Sequence, residues 1–225
     1  MKTDGQLQQD LIAELKWEPA LHAAQIGVEV DGGVVTLAGT VGSYAEKWQA
    51  ERAAQRVAGV RALAVEIEVE LPALGRRNDA DIARAAQNTL DWIAALPVDG
   101  VKVLVEDGWV TLSGQVDWQY QRQAASDAVR DLLGVVGLSN QIGIRAVPSQ
   151  KEVQPDAQAV IQSDIEAALR RRAKSDAQTI SVAVDTGDVT LTGTVHSWSE
   201  RELAMHSAWG APGVRTVIDR MTLNY

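Results

Sequence analysis

The 225-residue chain carries a formal net charge of −9 and contains no cysteine, which excludes disulfide scaffolds, thiolate metal sites and cysteine nucleophiles. Each third of the chain is acidic by itself, which argues against nucleic-acid partners, because phosphate binding needs clustered Lys and Arg. With 46% hydrophobic and 23% charged residues the composition is that of a folded globular protein, and no stretch approaches the roughly 20 apolar residues of a membrane-spanning helix.

The N-terminal stretch MKTDGQLQQDLIAELKWEP lacks an apolar run long enough for a signal-peptide core. A cytoplasmic protein is therefore expected, or a periplasmic one if a signal has been removed. Within that stretch Leu7, Leu11 and Leu15 recur at helical spacing and predict a first helix. Ile26, Val28 and Val30 then alternate at period two, as a half-buried strand does. Asp31-Gly32-Gly33 predicts a hairpin turn, and Val35-Thr36-Leu37 a second strand. Ala50, Ala53, Ala54 and Val57 give a second helix a small-residue face that permits close approach to a sheet. Gly59 is placed as its C-terminal cap, and Leu63, Val65, Ile67 and Val69 predict a third strand.

This order then recurs. VVTLAGTV, WVTLSGQV and DVTLTGTV are one pattern, and their glycines Gly39, Gly114 and Gly193 lie 75 and 79 residues apart. The same offsets relate Gly59, Gly134 and Gly213, and also Leu15, Leu90 and Leu169. Fixed register of this kind is the signature of an internal repeat. Three modules follow, over residues 1–71, 79–147 and 156–225, joined by the linkers PALGRRN and PSQKEVQ, whose proline and polar residues show no apolar period. The expected fold is α+β: three tandem α-β-β-α-β modules, each a small three-stranded mixed sheet with two helices on one face.

The pattern V-T-L-x-G-x-V after an acid-glycine turn, with Gly-Val twenty positions on, resembles the BON domain family of bacterial osmotically inducible and nodulation proteins. The resemblance spans nearly all of each repeat. It implies the α-β-β-α-β fold and a role in osmotic or envelope stress, often explained by binding of phospholipid surfaces; a well-known two-copy member is periplasmic and osmotically induced. Cytosolic relatives that bind potassium imply a second possibility, a cation-binding protein. The family's usual asparagine near the start of strand three is matched by Asn140, with Val65 and Asp219 in the corresponding places.

No catalytic residue is expected. His22, His196 and His206 share no register and form no metal-binding pair, and the paired glycines do not open a helix as a phosphate loop requires. The chain reads as a non-catalytic binding or adaptor protein, with no cofactor and no resident metal. Trp17, Trp92, Trp118 and Trp198, at helix ends or just after strand two, are candidates for a docking surface on a phospholipid membrane or a protein partner, because indole offers a large apolar face with one polar N–H. Burial between neighbouring repeats is the simpler alternative. Arg170, Arg171, Arg172 and Lys174 sit where positive charge complements a helix C-terminus, and the same patch could meet anionic lipid. The hairpin acids Asp31, Glu106, Asp107, Asp185 and Asp188 could supply oxygen ligands to a hard cation, or be solvated turn residues.

Overall fold

A computed structural model describes residues 2–145, 155–172, 180–185, 187–211, 214 and 216–224. The first module runs α1 (Asp4–Trp17), β1 (Ile26–Asp31), β2 (Val34–Val41), α2 (Tyr44–Arg56) and β3 (Ala62–Val69). The second repeats it as α3 (Asp79–Asp91), β4 (Val101–Glu106), β5 (Trp109–Val116), α4 (Gln119–Arg130) and β6 (Gly137–Ile144). The third follows as α5 (Pro155–Arg172), β7 (Ile180–Asp185), β8 (Asp188–Val195), α6 (Trp198–Trp209) and β9 (Thr216–Leu223). The order α-β-β-α-β is therefore present three times.

In each module the hairpin is antiparallel and the third strand returns parallel to the second, with Leu37 opposite Val28 and Val65. A parallel return needs a crossover, and the second helix supplies it. Leu7, Leu11 and Leu15 of α1, Ala50, Ala53 and Ala54 of α2, and Val35, Leu37 and Ile67 of the sheet form one buried cluster. Both helices thus cover one sheet face, and alternate strand residues such as Glu29, Glu66 and Glu68 turn to solvent. The alanines are fully buried, so their small side chains bring the helix axis close to the sheet.

The repeated glycines have separate causes. Gly39 holds φ at +140° where the chain entering β1 crosses it: a Cβ there would collide with the Gln25 carbonyl. Gly114 meets the Gly100 carbonyl in the same way, and Gly193 holds φ at +130°. Gly59 and Gly134 are not helix caps. The helices end earlier, at C-caps Val57 and Asp131, and these glycines shape the turn into strand three with φ of +106° and +93°. Gly213 lies outside the described residues.

Helix two starts differently in the second module. Ser43 and Ser197 cap α2 and α6 through their hydroxyls, whereas Trp118 occupies that place before α4. There the Gln121 amide oxygen accepts from both the Asp117 and Trp118 N–H groups, at 2.9 Å each, the part that its equivalents Glu46 and Glu200 play toward the Gly42 and His196 N–H groups.

Candidate functional site

The second helices of the three modules turn one face toward a common centre. The register-equivalent sets Tyr44, Gln119, Trp198 and Trp48, Gln123, Glu202, together with Glu51, Ser126, Met205, line a single cavity of about 810 Å³. Arg52, Asp127 and His206, again equivalent, line an adjoining cavity of about 500 Å³. Spacings of four, seven and eight residues along each helix define one helical face. Equivalent residues of all three second helices therefore line both cavities.

Two seams hold this arrangement. At the first, α2 packs against α6, Arg52 pairs with Glu202, and the Trp198 indole lies against the core of the first module and donates Nε1–H to the Val60 carbonyl at 3.1 Å. At the second, Tyr44 packs on the core of the second module, and the Arg130 guanidinium stacks 3.6 Å from the centroid of the Trp48 ring, a cation–π contact. Burial, aided by Glu51, raises the Tyr44 phenol above its ordinary pKa, against the pull of Arg130 and the Leu138 backbone. Burial also raises the Glu51 carboxyl, with Lys47 opposing it. Arg52 is lowered by burial and by Arg130, against Asp127. These shifts follow from desolvation where the modules meet.

Each second helix also carries one cation toward strand three, at the equivalent positions Lys47, Arg122 and Arg201. Lys47 Nζ donates to the Ile67 carbonyl at 2.8 Å. Arg201 Nε meets Asp219 at 2.5 Å. Arg122 Nη2 reaches the Asn140 carbonyl at 3.3 Å. The Asn140 amide ties helix to strand, donating to Ser126 Oγ and the Arg122 carbonyl and accepting from the Ile142 N–H. Asp219 accepts from the Met221 N–H in the same fashion, and Val65 can do neither.

The residues singled out from the sequence are not gathered in one place. Trp17 and Trp92 stand 83% and 89% exposed at the ends of α1 and α3. Trp118 is partly exposed. Trp198 is not a free docking residue, because it is committed to the seam with the first module. Arg170 and Arg171 are exposed near the end of α5, Arg170 within 3.6 Å of Glu166; Arg171 is the register equivalent of Trp17 and Trp92. The Arg172 side chain and Lys174 lie outside the described residues. Asp31, Glu106, Asp107, Asp185 and Asp188 belong to three separate hairpins, and Asp185 faces Asp188 across its turn. Among the described residues no group of three His, Asp or Glu side chains is placed to hold a metal ion.

The hairpin turns have a partner that sequence reasoning missed. Asp4 accepts from the Gly32 and Gly33 N–H groups at 2.9 and 3.1 Å, and Asp79 accepts from Asp107 and Gly108 at 2.9 Å each. The shared register of Asp4 and Asp79, at the first position of helix one, was the available signal.

Comparison with known proteins bears on the repeated module. The osmotically inducible protein Y of Escherichia coli (strain K12) is 31% identical over 126 residues, covering 54% of this chain and 63% of the relative; the match thus spans less than two thirds of that protein. Among solved structures, the C-terminal domain of CdsD, a structural protein of the type III secretion system of Chlamydia trachomatis, covers 96% of each chain at 14% identity and a TM-score of 0.27. The PrgH periplasmic domain covers 89% of this chain and 96% of its own at 12% identity and a TM-score of 0.22. Scores this low carry no structural argument. The BON domain model matches residues 3–70, 78–146 and 157–225, nearly the whole sequence, and the chain belongs to the BON domain family.

Proposed function

We propose that the chain is a non-catalytic adaptor of the osmotic or envelope stress response that docks on anionic phospholipid surfaces. The observation that carries this reading is the pair Trp17 and Trp92: two indoles at the same register position in successive modules, each more than four-fifths exposed. Isolated exposed tryptophans are costly to leave in water and are favoured at membrane interfaces. The repeat register sets Arg171 at the third equivalent position, where a guanidinium adds attraction to anionic headgroups. Several weak contacts on one chain gain strength together without any strong single site. The name of the Escherichia coli relative supports the stress context.

Flotation of the full chain with vesicles of phosphatidylglycerol and phosphatidylcholine tests the idea. Binding is expected, falling with added salt and lost in the Trp17→Ala, Trp92→Ala double variant. No flotation of the unaltered chain overturns the membrane reading and turns attention to a protein partner.

A further inference from the structure

The charges lining the central cavity balance, but they do not all pair. Arg52 pairs with Glu202, Arg201 with Asp219, and Arg130 with Asp127 of the adjoining cavity at 2.8 Å. The remaining guanidinium, Arg122, meets no carboxylate among the described residues and reaches only the Asn140 carbonyl. The remaining carboxylate, Glu51, has no ion pair among the described residues, and Lys47, one helical turn away, directs its ammonium to the Ile67 carbonyl. Both leftover side chains are half-buried. Desolvation outweighs Lys47 at the Glu51 carboxyl, so its charge is not compensated within the chain. A partly buried charge without a partner is held at a cost, which an oppositely charged ligand group offsets. Tyr44, Leu138 and Met205 add apolar wall between these groups, and the space of about 810 Å³ falls within the range of small-molecule sites. A simple anion or a simple cation answers one leftover charge and strands the other. A molecule carrying both signs answers both.

We propose that this cavity binds a zwitterionic amino acid with an apolar side chain, its ammonium on Glu51, its carboxylate on Arg122 and its side chain against Tyr44, Leu138 and Met205. Glu51 and Tyr44 belong to the first module, Arg122 and Leu138 to the second, and Met205 to the third. Only the docked arrangement therefore contains the site, which is separate from Trp17 and Trp92 and independent of vesicle binding.

Isothermal titration of the full chain with leucine, valine and methionine tests this, each compared with the carboxylic acid and the amine that share its skeleton. At least one of the three is expected to bind at least about tenfold more tightly than either of its singly charged analogues, the scale of one charged hydrogen bond. Glu51→Gln and Arg122→Gln are each expected to lose about tenfold in affinity, and Arg122→Lys to retain most of it. If Arg122→Gln fails to fold, Glu51→Gln carries the test, because it removes an uncompensated charge without changing the shape of the side chain. Neither heat nor a rise in melting temperature with any of the three amino acids overturns the proposal. Equal affinity for an amino acid and its singly charged analogues does so too, as does unchanged affinity in the variants that fold.

Discussion

The first residue of helix two makes an instructive comparison between the outer modules and the middle one. Trp198 and Tyr44 are aromatic, and each reaches from its own helix onto the core of another module. Gln119 holds the same position in the second module and instead keeps a buried oxygen unpartnered. One fold position therefore either closes a seam or leaves a polar opening, depending on whether its side chain buries ring area or an amide. Ring area removed from water is favourable in proportion to its extent, whereas an amide gains little unless both its ends are bonded. The lesson is that the fold of each module is set by its repeated residues and the assembly by the unrepeated ones.

The largest effect is expected from breaking the first seam. Trp198→Ala removes both the packing on the first module and the bond to Val60, and should lower stability by about 2 to 4 kcal/mol; calorimetry should then resolve separate transitions where the unaltered chain shows one. If Trp198→Ala leaves the melting curve in place, the seam contributes nothing and the comparison fails. A smaller effect belongs to Tyr44→Phe, which keeps the ring and removes only the hydroxyl beside the Leu138 backbone. A loss of about 1 kcal/mol by chemical denaturation is expected, and no loss would mean that ring burial alone closes the second seam.

The smallest effect is electrostatic. Burial holds the Glu51 carboxyl above the usual range, with Lys47 opposing. An acid whose folded pKa exceeds its unfolded value binds its proton more tightly in the native state. Ionised Glu51 therefore penalises folding at neutral pH, and the penalty fades as pH falls through the raised value toward about 4.3, where the unfolded group titrates. Glu51→Gln should raise the melting temperature by about 2 °C at pH 7, and the gain should vanish near pH 4. A gain that persists at pH 4 would assign it to packing instead.

The sheets and helices were legible because their causes are periodic and local. Leu7, Leu11 and Leu15 lie on one helical face and all are buried, and Val35 and Leu37 point to one side of a strand and are fully buried. The arrangement of the modules was not legible, because its determinants do not repeat. Trp118 and Trp198 look alike in the sequence, each just after strand two. Yet Trp118 is the N-cap of α4 and Trp198 the first residue of α6, and a shift of one residue on a helix turns a side chain by about 100°. One indole consequently faces outward and the other faces the first module. The different settings of Lys47, Arg122 and Arg201 were hidden for another reason: all three equivalent positions carry a cation, and only the structure shows that Arg201 meets a carboxylate while Lys47 and Arg122 meet backbone carbonyls. The clamp of Asp4 on the hairpin shares that difficulty, because an acid at a helix start already has a sufficient local cause.

The bond from Trp198 to Val60 spans 138 positions of sequence, whereas every strand pairing closes within its own module. Contacts between distant residues form after the entropy of the intervening chain has been surrendered. The three modules are thus expected to acquire their sheets independently during folding, with the last joining the first at the end. Until the C-terminal module has emerged from the ribosome, a nascent chain can hold two finished modules but cannot assemble the central cavity.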